Sequence, residues 1–172
     1  VQSIGSYFQE NLGGNDTIGL LSPNHLNGII LDLACLAYHI RIVPIPMNLS
    51  PDHLNYVLDH AEITHLFLGS DRARESLKDA KRSPSEFNAV QIDNKEEWNR
   101  FLVKCRQSII INPPSKILQS LATVMYTSGT TDNPKGIIFN QENIITKRFA
   151  RALALPEIGS NDSFLCYLPL YH

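Results

Sequence analysis

Short apolar runs alternate with longer amphipathic stretches along most of this chain, and that alternation limits the folds open to it. Thr17–Leu21 (TIGLL), Ile42–Ile45 (IVPI), Thr64–Leu68 (THLFL) and Phe87–Ile92 each read as a strand, short and rich in β-branched or aromatic residues. Between them lie helical patterns. His25–His39 carries Leu26, Ile29, Ile30, Leu33, Ala34, Leu36 and Ala37 at helical spacing, a broad face that predicts burial against a sheet. Asn24 is its expected N-cap. Ser50-Pro51 opens a helix that runs to about Ala61, with serine as cap and proline at the first helical position. Ser70 or Asp71 caps a charged helix over Arg72–Lys81, and Lys95–Gln107 is amphipathic around Trp98, Phe101 and Leu102. Ser3–Leu12 is a further short helix, stopped by Gly13 and Gly14. Strands joined by helices in this way imply βαβ units, hence an α/β fold with a mainly parallel sheet. The two prolines Pro44 and Pro46 predict that IVPI is an edge strand or a strand end.

The pattern changes after the exposed-looking linker Asn112-Pro113-Pro114-Ser115, read as a surface loop. An apolar run, Leu121–Tyr126, leads into the polar loop Thr127-Ser128-Gly129-Thr130-Thr131-Asp132-Asn133-Pro134-Lys135-Gly136, and Ile137–Phe139 follows as a second extended run. Hydroxyls donate to phosphate oxygens, glycine lets backbone N–H groups approach an anion, and lysine adds a mobile charge. The order differs from a Walker loop, in which Gly-Lys-Ser/Thr opens a helix. Here Lys135 precedes Gly136 and a strand follows. The plain alternative is an ordinary Ser/Thr-rich turn. Asn140–Leu155 then reads as a helix capped by Asn140, with Lys147, Arg148 and Arg151 on a solvated face, and Phe164–Leu168 as the last strand.

Composition excludes some classes of function. The chain has 172 residues and a formal net charge of −2, which gives no electrostatic case for nucleic acid or an anionic surface. No apolar run is long enough to span a bilayer, and no secretory leader is visible. The three cysteines, Cys35, Cys105 and Cys166, form no metal or disulfide pattern, so a reducing, cytoplasmic setting is expected, with peripheral membrane association left open. The histidines His25, His39, His53, His60 and His65 are isolated and read as structural.

YTSGTTDNPKG resembles the phosphate-binding signature of the adenylate-forming enzymes, the superfamily of acyl-CoA synthetases, luciferases and peptide-synthetase adenylation domains. The usual form is an aromatic residue, then T/S-S/T-G-T/S-T/S-G-x-P-K-G, and one fixed position differs: Asp132 stands where the family has its second glycine. Pro169-Leu170-Tyr171-His172 resembles a P-L-aromatic-H segment of the CoA-ligase branch. GGNDTIGLLSPN and LACLAYHIRIVPIPMNLSPDHL resemble earlier stretches of the same family, with Tyr38-His39 replacing its usual Ala-Gly, a change expected to alter packing alone.

The resemblance implies ATP-dependent activation of a carboxylic acid, a fatty acid first of all, through an acyl-adenylate to a CoA thioester. Thr127, Ser128, Gly129, Thr130 and Thr131 would contact the phosphates, Lys135 would offset their charge, and Thr127 would also ligate Mg²⁺. His172 would sit beside the acyl group and the adenylate as the catalytic candidate. The implied small molecules are ATP, Mg²⁺, CoA and the carboxylate. An aryl-CoA or acyl-AMP ligase, or a non-catalytic nucleotide- or acyl-binding module, stays open. A carboxylate about 4 Å from a phosphate charge would repel it by ~4 kcal/mol at an effective dielectric of about 20, so Asp132 predicts weakened ATP binding. The chain starts at Val1 and closes just after an apolar run, and the family's later elements are not found in it. Residues 1–172 are therefore expected to be part of an N-terminal AMP-binding domain, without the C-terminal domain, and inactive alone.

Overall fold

A computed structural model describes residues 1–115, 118–127, 133–159 and 161–163. Six strands form one sheet in the order β4-β3-β1-β2-β5-β6. β1 (Ile18–Leu21) lies between β2 (Ile42–Ile45) and β3 (His65–Leu68), parallel to both, and β4 (Val90–Gln91) extends the sheet beyond β3. On the other side β5 (Leu121–Thr127) runs parallel to β2, and β6 (Lys135–Asn140) returns antiparallel to β5. Helices α1 (Gln2–Asn11), α2 (Leu26–Ala37), α3 (Pro51–His60), α4 (Asp71–Asp79), α5 (Lys95–Gln107) and α6 (Gln141–Ala154) complete the α/β architecture expected from the alternation.

The strand period of two sends successive side chains to opposite faces, and each face has its own core. Leu21, Val43, Ile45, Leu66 and Leu68 pack with Leu54, Val57 and Leu58 of α3 and with Ala73 and Leu77 of α4. Leu20, Ile42 and Phe67 point the other way, to Ile4 and Phe8 of α1, Leu31 and Cys35 of α2, and Trp98 and Phe101 of α5. The rings of Phe8, Phe67 and Phe101 meet at 5.3–6.1 Å between centroids on that face.

Several local expectations change. β2 is an interior strand, with β1 on one side and β5 on the other. The Arg41 carbonyl accepts from the Ile18 N–H at 3.0 Å, so strand alternation turns the backbone groups of Ile42 and Pro44 toward β5. Pro44 has no N–H to offer there, and the β2–β5 register is confined to Ile42 and Thr123. The Thr123 Oγ1 reinforces this pair by donating to the Ile42 carbonyl at 2.8 Å. His25, not Asn24, caps α2, its Nδ1 accepting from the Asn27 N–H at 3.2 Å. Within Phe87–Ile92, only Val90–Gln91 is strand; a 3-10 turn over Pro84–Phe87 precedes it, and Asn88 takes a left-handed φ of 45° that no strand accommodates. Ser50, Ser70 and Asn140 cap α3, α4 and α6.

At the end of α2, Tyr38 is 1% exposed and donates to the Ile111 carbonyl at 2.8 Å. Its ring lies against Gly5 of α1, where a Cβ would overlap it. His39 adopts a left-handed φ of 57° at the position of the family's usual glycine. At this departure from the family pattern the Tyr38 side chain packs against α1.

Candidate functional site

All five parallel strands point their carboxyl ends to one edge of the sheet, so Leu21, Ile45, Leu68, Gln91 and Thr127 terminate there. In open α/β sheets this edge is where ligands bind. The hairpin register pairs Thr127 with Lys135, Tyr126 with Gly136 and Met125 with Ile137. Thr127 and Lys135 therefore form the last rung before the loop opens. The Thr127 Oγ1 donates to the Lys135 carbonyl at 3.4 Å, a long bond that leaves the hydroxyl available to a better acceptor. Both residues are exposed, and among the described residues no carboxylate pairs with the Lys135 ammonium.

Behind this rung the hairpin is held by packing. Tyr126 is buried under α3, and its hydroxyl lies 2.7 Å from Nδ1 of His60, in the last turn of that helix. The His60 ring stacks on Tyr56, one turn earlier, with centroids 5.0 Å apart and planes at 25°. Burial pushes the Tyr126 phenol above its ordinary range, and Tyr56 adds to the effect. Gly136 makes room on β6: a Cβ there would lie 3.1 Å from Val124 Cγ1 and 3.3 Å from Tyr126 Cζ. Past the hairpin, Asn140 and Asn143 cap each other reciprocally, and Gln141 Nε2 donates to the Leu36 carbonyl at 3.1 Å, tying α6 to α2. Lys147, Arg148 and Arg151 of α6 are exposed, as a solvated face requires.

Of the sequence candidates, Thr127 and Lys135 are thus brought together; Ser128, Gly129, Thr130, Thr131, Asp132 and His172 lie outside the described residues. Tyr56 and His60 were not legible as neighbours of the loop, because the contact with Tyr126 spans 66 positions. No group of three or more His, Cys, Asp or Glu side chains suited to a metal occurs among the described residues. A cavity of about 590 Å³ lies among Tyr7, Asn11, His65, Phe67, Arg100 and Phe101, and none of its lining residues comes from the hairpin.

A profile of the AMP-binding enzyme family matches residues 1–172. The chain belongs to the AMP-binding enzyme family. Within it, long chain acyl-CoA synthetase 3 of Arabidopsis thaliana is 30% identical over 182 residues, covering 94% of this chain and 27% of the relative. Long-chain-fatty-acid–CoA ligase 1 of Cavia porcellus is 28% identical over 183 residues, covering 90% and 25%. The chain spans about a quarter of the length of these curated relatives. The o-succinylbenzoate coenzyme A synthetase of Bacillus subtilis, in a complex with ATP and magnesium ion, superposes with a TM-score of 0.72 at 20% identity, over 99% of this chain and 42% of that one. At that identity the likeness establishes the fold. Among the described residues no helix of this AMP-binding chain is long and apolar enough to cross a membrane.

Proposed function

We propose that this chain supplies the phosphate-binding part of a longer ATP-dependent ligase, residues 1–172 forming part of its N-terminal AMP-binding domain. The ligase activates a carboxylic acid as an acyl-adenylate and passes the acyl group to the thiol of CoA. The observation that carries this reading is the hairpin end, with the Thr127 hydroxyl and the Lys135 ammonium, which no carboxylate among the described residues pairs, on one rung at the carboxyl edge of a parallel sheet. An exposed hydroxyl and an exposed cation suit an anionic phosphate. The sequence between them, Ser128-Gly129-Thr130-Thr131-Asp132-Asn133-Pro134, adds three hydroxyls and a glycine. ATP bound there supplies a leaving pyrophosphate, and Mg²⁺ offsets phosphate charge. In this reading Lys135 and the loop hydroxyls orient the phosphates, Thr127 is the candidate Mg²⁺ ligand, and His172 is the residue proposed to face the acyl group. A fatty acid is the proposed carboxylate, supported by the long-chain acyl-CoA synthetase relatives at about 30% identity.

Calorimetry of Mg-ATP binding tests the reading, with Lys135→Ala as control. Charge-assisted hydrogen bonds are worth about 1.5–3 kcal/mol, so the variant is expected to bind at least about tenfold more weakly. Equal binding by wild type and variant would refute the role given to the hairpin.

A further inference from the structure

The tyrosine just before the phosphate loop is held by the last turn of α3. Tyr126 is 5% exposed, and a buried phenol needs a polar partner. It finds one in His60 Nδ1 at 2.7 Å, and its ring also meets the imidazole edge-on, with centroids 5.9 Å apart and planes at 86°. His60 is itself fixed by stacking on Tyr56. The β2–β5 register is confined to Ile42 and Thr123, three residues before Tyr126, so the end of β5 runs beside β2 without further ladder pairing to it. Opposite Tyr126 stands Gly136, whose missing side chain lets the ring lie over β6.

A tyrosine ring is rigid, so fixing its hydroxyl fixes the Cα–Cβ direction of Tyr126 and the peptide that leads to Thr127. We propose that His60 and Tyr126 are positioning residues: their hydrogen bond, braced by Tyr56, sets the exit angle of the phosphate loop and thereby Mg-ATP affinity. The proposal rests on the reading of the loop as a phosphate site. It assigns α3 a part in nucleotide binding without contact with the nucleotide.

The test uses the full protein and four variants: Tyr126→Phe, His60→Ala, their combination, and His60→Asn, whose amide returns a polar atom to the place of Nδ1. Two measurements are made, Mg-ATP binding by calorimetry and hydrogen exchange at the amides of β5 and β6. Loss of one net hydrogen bond of about 1 kcal/mol corresponds to about fivefold. Tyr126→Phe and His60→Ala are each expected to bind Mg-ATP about fivefold more weakly and to exchange faster at Thr127 and Lys135. The double variant is expected to bind no more weakly than either single one, and His60→Asn to recover most of the loss. In turnover, KM for ATP should rise while kcat changes less than about twofold, since the chemistry is untouched. Unchanged affinity in Tyr126→Phe, or additive losses in the double variant, would overturn the proposal while Lys135→Ala still binds at least about tenfold more weakly. Wild-type affinity in Lys135→Ala would instead overturn the reading of the loop itself.

Discussion

Replacing Gly5 by alanine tests the packing that joins α1 to α2. In an exposed helix the change would stabilise by about 1 kcal/mol, because glycine is the poorer helix former. Here the new Cβ would fall among Cγ, Cδ2 and Cε2 of Tyr38, well inside the ~3.5–4.0 Å of a normal carbon contact. The ring has little freedom to retreat. Tyr38 is 1% exposed, its hydroxyl is bonded to the Ile111 carbonyl, and its own carbonyl accepts from Gln9 Nε2 at 2.6 Å. Overpacking a core typically costs about 1–3 kcal/mol, and an overlap this deep belongs at the upper end. The net expectation is a loss of about 2 kcal/mol for Gly5→Ala, measured as a shift in urea midpoint at constant slope. In a Tyr38→Ala background the obstacle is gone, and the same substitution should stabilise by about 1 kcal/mol. The sign reversal gives a coupling of about 3 kcal/mol, at the high end for residues in contact. A Gly5→Ala cost that is equal in both backgrounds, or a stabilisation in the wild-type background, would refute the reasoning.

Two further outcomes are expected. Asp132→Gly restores the family's residue and removes a carboxylate from the loop, so Mg-ATP should bind about tenfold or more tightly; unchanged affinity would show that this carboxylate does not face the phosphates. Asp16 Oδ2 accepts from the Gly13 N–H at 2.7 Å, and that bond, with help from Thr64 and His65, holds the carboxyl below its usual range. A carboxyl whose folded value is depressed adds stability above its unfolded value near about 4 and loses it as pH falls through the folded value. Asp16→Asn should therefore cost about 1 kcal/mol at neutral pH, and the gap to wild type should close as pH falls below about 4 in pH-dependent urea titrations. A gap that stays constant down to pH 2 would contradict the assignment.

Much of the local structure was legible from short-range chemistry. The helix over Lys95–Gln107 and the caps at Ser50, Ser70 and Asn140 follow from apolar spacing and from side-chain oxygens placed to receive the first helical N–H groups. The cap of α2 was misread because histidine is an uncommon cap, yet its Nδ1 accepts as an oxygen would. Of the two readings of IVPI, edge strand or strand end, the edge fails because a proline forbids one ladder bond, not a place in the sheet; β2 keeps its full register with β1 and ends between Pro44 and Pro46. Of the proposed site, Thr127 and Lys135 could be named from the loop's residue order, and the hairpin supplied their common rung.

The sequence by itself determined the alternation of strand and helix, most of the caps, and the run from Tyr126 to Gly136 that resembles the family's phosphate-binding signature. These depend on residues within a turn or two of one another. Tertiary structure alone decided that β1 sits between β2 and β3, that the loop opens at the carboxyl edge, that Tyr38 lies against Gly5, and that His60 holds Tyr126. Those contacts join residues far apart in the chain, and they exist because two apolar faces of one sheet must each be covered by helices that the sequence supplies out of spatial order.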